Sequence, residues 1–105
     1  MSSANAGTYR STAQSCGGAG TVAGISNGAT TTLVVAANCT ITVGDSTINY
    51  VDGSYGSGGG QMEVSLASTN FDDSSYQVFG PNNTLASLHD KRTNSCMNFF
   101  MTAKQ

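Results

Sequence analysis

The amino-acid sequence predicts an all-β protein: a single small antiparallel β-sandwich or barrel of about seven short strands with glycine-rich turns. Forty-nine of the 105 residues are Ser, Thr, Asn or Gly, which supply hydroxyls, amides and turn geometry. Short segments alternate between apolar and polar residues, and no segment shows a helical stripe of apolar residues bounded by caps. A chain of this length holds one domain with one modest core.

Residues 1–18 show no apolar alternation. We expect them to form an irregular N-terminal arm, with residues 19–105 as the single β-domain. The first residues lack the basic start and apolar middle of a signal peptide, so secretion would require that a signal has been removed. No apolar stretch approaches the roughly 20 residues of a membrane helix, and we expect no membrane span.

A first β-hairpin is predicted around Asn27-Gly28. This dipeptide is a strong signal for a type I′ turn, because asparagine and glycine both tolerate positive φ. It separates residues 21–25 from the β-branched residues 30–35. These two segments are therefore expected to pair across the turn.

A second β-hairpin is predicted around Gly44-Asp45. Glycine in the first turn position suits a type II′ turn between residues 39–43 and 46–50. Counting outward from this turn places Ile41 opposite Ile48 on one face, with the threonines on the other face. Agreement between turn type and buried face is what a hairpin with one buried face requires.

Residues 52–60 contain five glycines and are predicted to form a flexible loop. One interpretation is a simple connector between strands. The other is a contact loop, because Tyr55 stands among serine and glycine as in antibody binding loops. Asp52 and Tyr55 are therefore candidate binding residues.

Four further strands are predicted in the second half of the chain: residues 61–66, 76–79, 84–88 and the C-terminal segment. In the last of these, Met97, Phe99 and Met101 share one face. This face suits either a core or a contact with another subunit, so the three residues are candidate assembly residues. Residues 30–32 and 96–103 are the segments predicted to offer open edges for pairing with another chain.

The three cysteines, Cys16, Cys39 and Cys96, are too far apart in sequence to form a close metal-ligand pair. One interpretation is that all three are small buried apolar residues. The other is one disulfide, from Cys39 to either Cys16 or Cys96, with one thiol left over. The pairing remains open at this stage.

Neither catalysis nor metal binding is predicted. The one histidine, His89, precedes Asp90, but neighbours along a strand point to opposite faces, and the chain has no G-x-S-x-G nucleophile elbow. The doublet Asp72-Asp73 lacks the spacing of a calcium loop and is better explained as a turn. We therefore expect no enzymatic activity, no metal and no cofactor.

The charge pattern favours protein or glycan partners. The net charge is −2, and the four cationic residues form no stripe that could bind nucleic acid. The leading hypothesis is a non-enzymatic structural or interaction protein of an extracellular-facing oligomeric assembly, such as a virion decoration (capsid-stabilising) or fibre component, with other protein subunits as partners. The alternative is a secreted binding module, such as a small lectin, adhesin domain or inhibitor, with Tyr55 as anchor. The expected location is therefore a virion or the extracellular space.

Overall fold

A computed structural model of the chain describes residues 6–52, 62–65, 68–72, 74–79 and 82–105. Within these ranges the chain forms β-strands and turns but no helix, so the all-β prediction is confirmed. The strands are β1 (Gly7–Gly17), β2 (Thr30–Val35), β3 (Thr40–Val43), β4 (Ser46–Asp52), β5 (Met62–Val64), β6 (Phe71–Asp72), β7 (Ser75–Phe79), β8 (Asn82–Asp90) and β9 (Ser95–Lys104).

The strands form one antiparallel sheet that curls into a barrel. Neighbouring strands follow the order β1, β2, β3, β4, β5, β7, β8 and β9, and β9 pairs with β1 as well as with β8. The short strand β6 adds to the sheet beside the end of β8. The barrel alternative of the predicted fold is therefore the one that is observed.

The core fills the inside of this barrel because alternate side chains of each strand point inward. Met97, Phe99 and Met101 are at most 2% exposed. Their side chains therefore belong to the core and are not available to another subunit, which corrects the candidate assembly role. Among the residues whose burial is described, the buried apolar ones are Tyr9, Ala13, Val22, Ala23, Leu33, Val35, Ile41, Val43, Ile48, Tyr50, Phe71, Leu85, Leu88, Met97, Phe99 and Met101.

The N-terminal segment is not the irregular arm that the sequence predicts, because residues 7–17 form strand β1. This strand pairs with β2 on one side and with β9 on the other. Its inward residues are Tyr9, Ser11 and Ala13, of which only the first is large and apolar. The usual alternation of large apolar and polar side chains is therefore missing, although these residues form a strand.

The β3–β4 hairpin is confirmed in register. Ile41 lies opposite Ile48, and Thr42 lies opposite Thr47. Gly44 has a φ of 55°, and Asp45 is not among the residues with positive φ, as a type II′ turn requires. The two threonine hydroxyls lie 3.0 Å apart on the outer face.

The hairpin predicted around Asn27-Gly28 is wrong. The Ala29 N–H donates to the Ser26 carbonyl over 3.1 Å, and only Gly28 of the two central residues has positive φ, as in a type II turn. Residues 30–35 pair with β1 and β3 rather than with residues 21–25. The intervening residues 18–29, here called the inner loop, send Val22 and Ala23 into the core.

The terminal strand does not offer the open edge that the sequence predicts. β9 pairs with β1 from Cys96 to Lys104 and with β8 from Ser95 to Met101. Residues 30–32 pair with β1 along one side. Barrel closure therefore removes the longest predicted edge.

Gly44→Ala is expected to lower the free energy of unfolding by about 2 kcal/mol or more. A side chain at the Gly44 φ of 55° is strained, and its Cβ would overlap the Ala23 carbonyl oxygen. Gly28→Ala is the matched control, since its φ is also positive but no atom lies within 4 Å of the added Cβ. Urea unfolding of both variants measures the difference, and equal losses would contradict the contact with the inner loop.

Candidate binding groove

A surface groove of about 360 Å³ runs beside the first half of β4. One wall is formed by the β3–β4 turn and β4, and the other by the segment that leads into β6. We call it the β4 groove. Its lining residues are Asp45, Ser46, Thr47, Ile48, Asn49, Ser68, Thr69, Asn70, Phe71 and Arg92.

The groove exists because strand pairing along β4 stops partway. β4 pairs with β5 only from Tyr50 to Asp52. Before Tyr50, toward the start of β4, a turn replaces the neighbouring strand, and the Ser65 N–H donates to the Asn49 carbonyl over 2.9 Å. The Ser68 hydroxyl donates to the same carbonyl over 3.3 Å. The turn therefore lies alongside β4 without continuing the sheet.

This arrangement leaves backbone polar groups of Thr47 facing the groove. Residues of an antiparallel strand direct their N–H and C=O groups alternately to the two sides. Tyr50 donates to Cys39 on the β3 side, so Thr47, an odd number of residues away, directs its groups to the opposite side. The described part of the chain provides no hydrogen-bond partner for these two groups. Within the described ranges both groups are therefore candidates for contact with a ligand.

Two amide side chains line opposite walls of the groove. Asn49 belongs to β4, Asn70 precedes β6, and both are exposed. Neither side chain makes a hydrogen bond within the described ranges, and the same holds for the exposed hydroxyl of Thr69. An amide offers two donors and an acceptor, while a hydroxyl offers one donor and two acceptor lone pairs. The groove thus presents neutral groups that can both donate and accept.

Arg92 is the cationic residue among the described residues of the lining, and its guanidinium is bonded to two carboxylates. Its guanidinium donates to Asp45 Oδ1 over 3.1 Å and to Asp90 Oδ2 over 3.0 Å. It also lies over the Phe71 ring, 5.2 Å from the centroid. The hydrogen bonds to Asp90 and then to Asp45 raise the pKa of Arg92 above its ordinary value. The guanidinium is therefore held in place and its charge is balanced.

Asp45 forms the other half of the exposed ion pair. Hydrogen bonds from the Ser46 hydroxyl and from Arg92 hold the pKa of Asp45 below its ordinary value. The Ser46 hydroxyl lies 2.5 Å from Asp45 Oδ1. Asp45, the one carboxylate among the described lining residues, is thus ionised and already occupied by two donors.

Asp90 anchors this ion pair to the core. Its carboxylate is 1% exposed and accepts the Ala23 N–H over 2.9 Å and the Arg92 backbone N–H over 3.0 Å. Burial by itself raises the pKa of Asp90. The hydrogen bonds from Arg92 and Ala23 outweigh that effect, so the pKa lies below its ordinary value. One buried carboxylate therefore joins the inner loop to the groove.

His89 does not pair with Asp90, its neighbour in sequence. Its Nδ1 lies 2.5 Å from Asp72 Oδ1, and its Nε2 lies 3.0 Å from Asn94 Oδ1. The nitrogen that would face a nucleophile in a Ser-His-Asp arrangement thus contacts an amide instead. These contacts connect β6 to the end of β8, next to the groove wall.

The disulfide joins Cys16 to Cys96, with their Cα atoms 5.1 Å apart. Both pairings predicted from the sequence, which involved Cys39, are wrong. The reason is the unrecognised strand β1, since its register with β9 brings the two cysteines together. Cys39 lies half-buried at the start of the β3–β4 hairpin and is not part of the disulfide.

The binding residues predicted from the sequence are not part of the β4 groove. Tyr55 and most of the glycine-rich loop lie outside the described residues. Asp52 ends β4, where its backbone pairs with Met62. The groove residues that sequence reasoning missed are Asn49, Asn70 and Arg92, which come from three separate segments. Asn49 lies on the outer face of the β3–β4 hairpin, but none of the three residues matches a motif.

Across the described ranges, His, Cys, Asp and Glu form no group of three or more that could hold a metal ion. None of these ranges contains a helix able to cross a membrane. Comparison of the chain with protein families, curated proteins and solved structures finds no match in any of the three.

The lowered pKa values of Asp45 and Asp90 predict that the folded protein loses stability in acid. Both have a folded-state pKa below the ordinary value of 3.8, so below that pH the unfolded chain binds more protons. Their stabilising effect is present above pH 3.8 and is lost as the pH falls through the folded-state values. Urea unfolding from about pH 6 to about pH 2 measures this loss. In Asp90→Asn the free energy of unfolding should fall less steeply as the pH is lowered. A dependence on pH as steep as that of the wild type would contradict the role of Asp90.

Proposed function

We propose that this protein is a non-enzymatic binding module that acts outside the reducing cytoplasm, as a secreted or virion-surface domain. The β4 groove is its contact site. The observation that carries this proposal is a set of polar groups in one concave site that have no hydrogen-bond partner among the described residues: the amides of Asn49 and Asn70 and the backbone of Thr47. In ligand sites, a small number of placed polar groups fixes the orientation of the ligand and provides specificity.

The groove is supported by a fixed frame. Arg92 joins the β3–β4 turn to the end of β8, and the buried Asp90 carboxylate joins both to the inner loop. His89 and Asp72 add a further link from β8 to the opposite wall. A site that is held in its binding conformation loses less conformational entropy on association, which favours affinity.

The covalent structure favours an oxidising environment. The Cys16–Cys96 disulfide links β1 to β9 on the outside of the barrel, where Cys16 is exposed. Such bonds persist in secreted proteins and on virion surfaces and are rare in the cytosol. This supports the extracellular or virion location expected from the sequence.

The chemistry of the groove favours binding rather than catalysis. General acid-base catalysis requires a group that can exchange a proton near neutral pH. The carboxylate of Asp45 is held ionised by Arg92 and Ser46, and His89 is engaged at both ring nitrogens. The groups left for a ligand are amides and hydroxyls, which do not titrate in this range.

Amide NMR spectra with and without ligands test the proposal. Small panels of monosaccharides, short peptides and nucleotides serve as probes. A ligand from one panel should shift the amide signals of Thr47, Asn49 and Asn70, and the Asn49→Ala/Asn70→Ala double variant should lose that response. The control is Thr12→Ala/Thr30→Ala, an exposed cross-strand pair on another face. No response in the groove to any panel, or loss of the response in the control, would overturn the proposal.

A structural role in an extracellular-facing assembly is the second candidate function. The outer face of β1–β3, three strands that are described in full, carries Arg10 as its one charged residue. Two large apolar side chains, Val34 and Phe100, are 42% and 40% exposed on either side of β1. Light scattering after size exclusion tests this candidate. A trimer or larger species that persists in reductant supports it, and a monomer contradicts it.

A further inference from the structure

We infer that the β4 groove binds a neutral carbohydrate, through hydrogen bonds to about one or two sugar rings. This inference rests on the proposed binding role of the groove and names its ligand class. It follows from three properties of the lining: its charge, its donor and acceptor groups, and its shape.

The charge of the lining disfavours ionic ligands. Arg92, the cation that could attract an anion, already donates to two carboxylates, Asp45 and Asp90. With two anions for one cation, this corner of the groove repels phosphates and carboxylates. A cationic ligand would have to compete with Arg92 and Ser46 for the oxygens of Asp45. A neutral ligand meets neither obstacle.

The groove groups that have no partner in the described part of the chain match the chemistry of sugar hydroxyls. Each sugar hydroxyl donates one hydrogen bond and accepts others, so it is best satisfied by groups that do both. Asn49 and Asn70 supply amides on the two walls, Thr69 supplies a hydroxyl, and Thr47 supplies a backbone donor and acceptor. A polar ligand without this mixture would leave some of these groups unpaired on desolvation.

The shape of the groove limits both the size of the ligand and its affinity. At about 360 Å³ it lies near the lower end of the usual range of ligand pockets, about 300–1,000 Å³. The Phe71 ring is only 5% exposed and carries Arg92 over one face, so it offers no surface on which a sugar can stack. Hydrogen bonds without stacking give weak binding, and we expect dissociation constants in the millimolar range for a single site.

NMR titration of the full chain with three matched sugars tests this inference. Glucose is neutral, glucuronate carries a carboxylate at the sixth carbon, and glucosamine carries an amine. Galactose, mannose and N-acetylglucosamine extend the neutral set. At least one neutral sugar should shift the signals of Thr47, Asn49 and Asn70, and it should bind several times more tightly than glucuronate or glucosamine.

Asn49→Asp provides the sharpest variant, because it keeps the size and one acceptor of the side chain but removes its donors and adds a charge. We expect binding of the neutral sugar to weaken by about tenfold. Thr30→Asp introduces the same charge on the exposed outer face of β2 and should leave the affinity unchanged. Both variants are exposed substitutions, and their amide spectra report whether the fold is retained.

The outcomes separate the inference from the proposed function. If peptides or nucleotides shift the groove signals but neutral sugars do not, the carbohydrate inference is wrong and the binding role stands. Tighter binding of glucuronate than of every neutral sugar would also overturn the inference. If no probe of any class reaches the groove, the binding role itself is wrong.

Discussion

Replacing Cys16 and Cys96 with serine is expected to lower the free energy of unfolding by about 4 kcal/mol. The disulfide connects residues 80 positions apart and so closes most of the chain into one loop. In the chain-entropy treatment, a loop of this length restricts the unfolded state by about 4 to 5 kcal/mol. The bond thereby stabilises the folded barrel relative to the unfolded chain.

Lost packing should contribute little to this effect. Cys16 is exposed and Cys96 is half-buried, so two serine side chains leave no large cavity. Urea unfolding of the Cys16→Ser/Cys96→Ser variant measures the change, and wild-type protein in reductant should show a similar loss. Cys39→Ser, which keeps the disulfide, is the control. A double variant as stable as the wild type would show that the disulfide does not constrain the unfolded chain.

Asp90→Asn is expected to lower the free energy of unfolding by about 3 kcal/mol, and with it the melting temperature by roughly 10–20 °C. The buried carboxylate accepts from four donors: two backbone N–H groups, from Ala23 and Arg92, and two groups of the Arg92 side chain. Asparagine keeps only one acceptor oxygen. Its NH₂ group would face at least one of these donors in either orientation, and a buried N–H would lose its partner.

Asp45→Asn is the matched control for this prediction. Asp45 also pairs with Arg92, but its side chain is 52% exposed, so water replaces much of the lost interaction. We expect a much smaller effect on stability. Hydrogen exchange should show faster exchange of the Ala23 N–H in Asp90→Asn than in Asp45→Asn. Equal stabilities of the two variants would contradict the anchoring role of Asp90.

Elements with a complete local pattern were predictable from the sequence. The β3–β4 hairpin has a turn residue of the right type and apolar residues in matching register, such as Ile41 and Ile48, and both features agree with the structure. Met97, Phe99 and Met101 form the inner face of β9 as their spacing indicates. What the spacing did not reveal is whether this face is core or interface, because an apolar side chain suits both.

β1 could not be predicted because its stability is not local. Ser11 and Ala13 occupy inward positions where a typical strand carries large apolar residues. The strand forms because β2 and β9 bond to it on both sides, and these partners are distant in sequence. The wrong disulfide predictions follow from the same omission, since only the pairing of β1 with β9 brings Cys16 near Cys96.

The β4 groove was equally inaccessible to sequence reasoning. Asn49, Asn70 and Arg92 are ordinary polar residues in their own segments and match no motif. They meet for two reasons. The part of β4 before Tyr50 does not pair with β5, and Asp90 holds Arg92 beside the β3–β4 turn. A lone asparagine in a chain rich in asparagine carries no signal of such a meeting.

Three features could be predicted from the amino-acid sequence alone: the all-β class, the β3–β4 hairpin and the apolar face of β9. Each of these depends on residues that are close along the chain, through strand periodicity and turn geometry. Three others could be established only from the three-dimensional structure: the closure of the sheet through β1, the pairing of Cys16 with Cys96 and the β4 groove. These features depend on contacts between segments far apart in sequence. Such contacts stabilise the protein only when the whole barrel is formed.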